Sequence, residues 1–128
     1  IEASDDATKK ILTDIAKSIT QYIYFFDSQK RKVLHIAAVF ACNFTNHLLA
    51  ISKEILDKEE IGYDILNPLI SETINKALDQ DPKKMQTGPA IREDTKVLQE
   101  HMQYLKNDPD RKHLYRVLSE SILKMRKE

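Results

Sequence analysis

Glycine is almost missing: only Gly62 and Gly88 occur in 128 residues. Glycine supplies the positive backbone angles that tight hairpin turns demand. Its scarcity argues against a hairpin-rich sheet and for long helices. Cysteine is reduced to Cys42. One cysteine excludes an internal disulfide framework and a multi-cysteine zinc site, and it suits a reducing compartment. The only histidines on the most apolar helix, His35 and His47, stand twelve residues apart without an HxxxH pattern, so no metal site is expected. No sign of charge dominates, because 20 basic and 20 acidic side chains cancel. Without a basic excess no broad field gathers phosphates, so nucleic acid is not an expected partner. Neither GxGxxG nor GxxxxGK[ST] occurs. The chain alone therefore has no evident way to hold a dinucleotide, and no bound cofactor is expected in it by itself.

What is present points to a mainly α fold. Ser4-Asp5-Asp6 reads as a helix start, and Ile11, Leu12, Ile15 and Ile19 follow at helical spacing, predicting a helix over about 5–19. Tyr22-Ile23-Tyr24-Phe25-Phe26 is aromatic and β-branched, and it reads as a strand buried on both faces. A lone strand cannot satisfy its backbone groups. Its only candidate partner is the stub Ile1-Glu2-Ala3, which would lie parallel to it. Parallel sheets are rarely so small. Residues 1–27 are therefore expected to be the last strand-helix-strand portion of a larger α/β sheet upstream. The first residue is Ile1 rather than methionine, which fits that expectation.

Asp27 or Ser28 caps a long helix to about Asp57 or Lys58, with Val33, Ile36, Ala37, Phe40, Phe44, Leu48, Ile51 and Ile55 as its apolar stripe. A turn over 58–62 leads to a third helix from about Asp64, with Pro68 near its first turn. Residues 83–92 form a connection, a fourth helix covers about 93–106, and Asp108-Pro109 starts a fifth that runs to about Met125. The expected architecture is a helical bundle around a buried central helix, residues 28–128, preceded by the strand-helix-strand remnant 1–27. The stretch from Val33 to Ile51 nears the length of a membrane span. It also holds His35, Asn43, Thr45, Asn46 and His47. Such groups are costly in lipid, so a soluble buried helix is the better reading and no membrane contact is expected.

The same polar residues are the first candidates for chemistry. At 100° per residue, His35, Val39, Cys42 or Asn43, Asn46 and Ala50 fall along one broad stripe. An amide can donate to and accept from a substrate, and an imidazole can move a proton near neutral pH. The alternative is that these groups only satisfy neighbouring backbone and fix helix register. Cys42 reads as a small core residue. The second constellation is Thr87-Gly88-Pro89-Ala90-Ile91-Arg92-Glu93-Asp94. Gly88 permits an unusual backbone angle and Pro89 stiffens it. Arg92 could clamp a carboxylate or phosphate through its planar fork. The alternative is an elaborate turn with Arg92 in solvent. The basic residues of the last helix, Arg111, Lys112, Arg116, Lys124, Arg126 and Lys127, suit a helix C-terminus.

Four runs together resemble a bacterial family. They are His35-Ile-Ala-Ala-Val-Phe-Ala-Cys-Asn43-Phe-Thr-Asn46-His47-Leu, Leu69-Ile-Ser-Glu-Thr73, Gln86-Thr-Gly-Pro-Ala90-x-Arg92-x-Asp94 and Tyr115-x-x-Leu118-Ser-Glu-Ser121. Members pair a Rossmann-like NAD(P)-binding domain with a C-terminal helical domain of unknown function. They are similar to pyrroline-5-carboxylate reductase, ketopantoate reductase and the C-terminal domain of 6-phosphogluconate dehydrogenase.

The resemblance implies a substrate-binding and dimerisation domain of a cytoplasmic NAD(P)-dependent oxidoreductase, inactive as an isolated piece. NAD(P) would be bound mainly by the missing domain, and the substrate would be a small C=O or C=N compound. By the same analogy Asn43, Asn46, Thr87, Gly88 and Arg92 bind substrate. Several relatives use a helix lysine as proton donor. None lies between Val33 and Ser52 here, so His35 or His47 is expected in the catalytic role. The competing expectation is a non-enzymatic helical dimerisation or interaction module.

Overall fold

Apolar residues at helical spacing, with a carboxylate before several of the helix starts, should give a helical chain. The computed structural model describes residues 1–127, and among them there are helices and turns but no β-strand. The chain divides into two compact units, Ile1–Tyr63 and Asp64–Glu128.

In the first unit, α1 spans Asp6–Lys17. The Asp5 carboxylate caps it, accepting from the Thr8 backbone N–H and hydroxyl at 2.8 Å each. Those bonds, the Thr8 backbone N–H foremost, hold the Asp5 carboxyl below its ordinary range. The segment expected as a strand is not one. It does keep an alternating, extended character. Tyr24 and Phe26 stack on one side with centroids 6.1 Å apart, while Lys9 of α1 lies 4.9 Å over the Phe25 ring. The Phe26 N–H donates to the Ile1 carbonyl and the Ile1 amine to the Tyr24 carbonyl. This is the pattern of a single parallel bridge. Two bonds do not make a ladder, and the expected strand-helix-strand is here only a stub, a helix and an extended segment.

Helix α2 spans Ser28–Lys58. Asp27 caps it through the Lys30 N–H at 2.8 Å. Glu2 reaches the same end. Its carboxylate accepts from the Ser28 N–H at 2.9 Å and the Ser28 hydroxyl at 2.7 Å, and it pairs with Arg31. The Ser28 hydroxyl above all lowers the Glu2 pKa; desolvation, the next largest influence, opposes it, and the Ser28 N–H and the Arg31 charge lower it further. A carboxyl with a depressed folded pKa stabilises above its unfolded pKa and loses that contribution as pH falls through the folded value. The protection of the Ser28 amide, its exchange rate by NMR relative to the intrinsic rate at each pH, should therefore persist as pH drops through the ordinary glutamate range and be lost only below it. In Glu2→Ala that protection should be reduced at every pH. Equal protection in the two proteins would show that Glu2 does not hold this end.

The helix expected at the buried centre of a bundle is exposed in this chain. None of its residues is buried, and Val33, Ile36 and Phe40 expose 66%, 51% and 66% of their surface. By length and composition it could cross a membrane. It ends with the Ile61 N–H on the Leu56 carbonyl and the Glu60 N–H on the Asp57 carbonyl, with Glu60 at φ 55. This is a left-handed helix stop that glycine usually fills.

In the second unit a 3-10 turn, Tyr63–Leu66, whose first residue still belongs to the first unit, leads into α3, Asn67–Asp79, with Pro68 in its first turn. Helix α4 spans Thr95–Tyr104, and a 3-10 turn Leu105–Asn107 joins it to α5, Pro109–Lys127. Asp94 and Asp108 begin these helices, accepting from the Val97 and Arg111 N–H groups at 3.2 and 3.1 Å. Among the described residues only Ala90 is buried.

Candidate functional site

The polar residues of the long helix sit around a departure from α geometry. Val39–Phe44 forms a π-helical turn inside α2. Such turns close on i→i+5 hydrogen bonds and hold about one residue more than an α turn. Everything beyond it therefore lags by about 100° relative to an unbroken α-helix. The sequence contains two ladders with a strict spacing of four, His35-Val39-Asn43-His47 and Ile36-Phe40-Phe44-Leu48. On an unbroken helix each step of four drifts by about 40°, so a ladder of three steps would wind about 120° round the rod. The π turn removes most of that drift and straightens both ladders. Phe40 and Phe44 accordingly meet edge to face with centroids 5.0 Å apart.

This geometry rearranges the expected stripe. His35 and His47, about 120° apart on a continuous helix, come to within about 20°. Asn43, inside the turn, joins the same line. Asn46, which would have shared the His35 face, moves roughly 80° away. Cys42 moves off with it, whereas Ala50 swings from about 60° on one side of the His35 line to about 40° on the other. All these residues except the half-buried Val39 are exposed.

The connecting segment of the second unit is built as two consecutive turns. Gly88 has φ 97 and begins the second. The Glu93 N–H bonds the Ala90 carbonyl at 3.1 Å and the Asp94 N–H bonds the Pro89 carbonyl at 2.9 Å, with Glu93 at φ 56. The basic residue that grips this turn is Arg126, not Arg92. Arg126 donates to the Ile91 carbonyl and to Glu93, both at 2.9 Å. Thr87 and Arg92 are exposed and Gly88 is half-buried. Arg126, assigned by sequence to the helix dipole, gave no local sign of this role, because its partners lie 33 and 35 residues away.

Helices α4 and α5 enclose a cleft of about 320 Å³, lined by Ala90, Leu98, Met102, Tyr115 and Leu123, with Arg116 among the polar groups. The Tyr115 hydroxyl lies 2.8 Å from His101 Nδ1, the rings edge to face at 5.7 Å. Sequence reading did not single out His101, whose partner is fourteen residues away across a turn.

No group of three or more His, Cys, Asp or Glu side chains suited to a metal ion occurs among the described residues. Among the described residues no positive-φ glycine leads directly into a helix start. Gly88, the one glycine with positive φ, opens a turn seven residues before α4 begins, instead of leading straight into a helix N-terminus.

A family model described as a domain of unknown function, DUF2520, matches residues 1–122. Among solved structures, a candidate NADP oxidoreductase from Bacteroides fragilis is 45% identical, with a TM-score of 0.93 over 96% of this chain. The match covers 48% of that protein, so the chain spans about half its length. The comparison with curated proteins found no match.

Proposed function

The chain belongs to the DUF2520 family, and from that premise we propose that it is the helical, substrate-binding and dimer-forming part of an NAD(P)-dependent oxidoreductase. The observation that carries the reading is its 45% identity, across 96% of its length, to half of a candidate NADP oxidoreductase. In this reading residues 1–27 close a Rossmann-like nucleotide-binding domain and residues 28–128 form a substrate and dimer domain, in a cytoplasmic protein. NAD(P)H, held mainly by the other domain, supplies hydride to the carbon of a small C=O or C=N substrate. The chain's own residues bind and orient that substrate, with Asn43, Asn46, Thr87, Gly88 and Arg92 as candidates. They also deliver a proton to its oxygen or nitrogen, for which His35 and His47 are the candidates.

The same reading assigns a second copy to the exposed apolar ladder of α2. An apolar helix of this length must be covered by lipid or by protein. Lipid would have to accept His35, Asn43, Asn46 and His47 in the middle of the span, which is costly. A protein partner covers the ladder and leaves the polar line at the edge of the contact.

The test is binding by the full-length protein. NADPH fluorescence should change saturably on addition of that protein and stay unchanged with residues 28–128 alone. No response to NADPH or NADH from the full-length protein would favour a non-enzymatic interaction module instead.

A further inference from the structure

The straightened ladders of α2 separate its polar residues into those that can serve one substrate and those that cannot. Asn43 and His47 are one turn apart on a common line, a spacing that brings Cβ atoms to about 5–6 Å. His35 shares the line but stands eight residues before Asn43, about 12 Å along the axis. Val39, which carries no polar group, occupies the position between His35 and Asn43. Asn46 has been carried round to another face by the π turn. The apolar ladder Ile36-Phe40-Phe44-Leu48 runs beside the line, roughly a quarter-turn away.

We infer that Asn43 and His47 are the working pair of this helix, selected by the π turn. The inference rests on the oxidoreductase reading and narrows its four helix candidates to two. The Asn43 amide orients the C=O or C=N group through hydrogen bonds it can both donate and accept. His47, as imidazolium, gives its proton to the substrate oxygen or nitrogen. At the same time the substrate carbon gains hydride from NAD(P)H, which leaves as NAD(P)⁺. A C–H bond and an O–H or N–H bond form, the double bond becomes single, and neutral His47 recovers its proton from water. A small substrate spans a few ångströms, so a group held at Asn43 is within reach of His47 and out of reach of His35.

The test uses the full-length protein uniformly labelled with ¹³C and ¹⁵N. Hydrogen-bond scalar couplings report which carbonyl each amide binds, and they should run i→i+5 across Val39–Phe44 with no ligand present. On titration with NADPH the side-chain signals of His47 and Asn43 should shift, while those of His35 and Asn46 stay within error. Deleting Ala41 removes the extra residue and turns the wide turn into an α turn, so His47 keeps its place relative to the apolar ladder. That variant should keep its helical circular dichroism, bind NADPH within about threefold of wild type, and retain the His47 shift. Couplings that run i→i+4 throughout would overturn the inference whatever NADPH does. A shift at His35 or Asn46 in place of the pair, or loss of the His47 shift on deletion, would overturn it while leaving the oxidoreductase reading intact. Absence of any NADPH binding would bring down both.

Discussion

Replacing Phe40 and Phe44 together with serine is expected to convert a dimer into a monomer. Helix α2 has 31 residues, and at 1.5 Å per residue it is about 46 Å long. A contact strip roughly 10 Å wide along it would bury on the order of 500 Å² per copy, close to 1,000 Å² in all, the lower range for a specific interface. Phe40 and Phe44 form the centre of that strip and expose 66% and 47% of their surface in the single chain. A two-fold dimer buries each residue twice, so the double substitution affects four side chains. At roughly 1.5 kcal/mol for each, the lower end for burying a phenylalanine, the loss is about 6 kcal/mol. That weakens the dissociation constant by about four orders of magnitude. Light scattering at micromolar concentration should give twice the chain mass for the full-length wild type and one chain mass for the variant. A wild type already at one chain mass, or a variant that stays at two, would remove the ladder from the interface.

The helices were legible because each level of the sequence agreed on them. Asp5, Asp27, Asp94 and Asp108 accept backbone N–H groups at helix starts, and side-chain chemistry alone suffices to suggest a cap at each. The strand expected at Tyr22–Phe26 failed for a reason that is not local. Composition gave the segment a β character, and stacked Tyr24 and Phe26 preserve it. A strand, however, is defined by its neighbours, and Ile1 offers only one bridge. The exposure of α2 was invisible for a similar reason: an apolar stripe says that a face is to be covered, not by what.

The π turn did leave a trace. Two ladders of strict four-residue spacing, one polar and one apolar, cannot both stay straight on an α-helix. Reading them as one broad stripe at 100° per residue placed Asn46 where Asn43 and His47 stand. The helix end near Lys58 and the turn over 58–62 were legible, but not which residue takes the left-handed angle. The chain uses a glutamate at φ 55 in the position where glycine is favoured.

Positive backbone angles therefore give the second large prediction, because glycine occupies one such position and glutamates two others. Gly88 sits at φ 97, outside the range an L side chain adopts readily. A β-carbon built there meets nothing within 4 Å, so crowding contributes nothing and the whole cost of Gly88→Ala is backbone strain. Such strain costs about 1–3 kcal/mol. In a unit of this size that lowers the thermal midpoint by roughly 5–20 °C. Asparagine, which tolerates positive φ better than alanine, should cost visibly less at the same site despite its larger side chain. Glu60 is the converse. Glu60→Gly relieves a left-handed residue at a helix stop and should stabilise by about 1 kcal/mol. Thermal melts of the three variants separate strain from packing. If Gly88→Asn is the more damaging of the two substitutions, side-chain volume governs the turn. The strained angle would then not be what holds Pro89 to Asp94 in place.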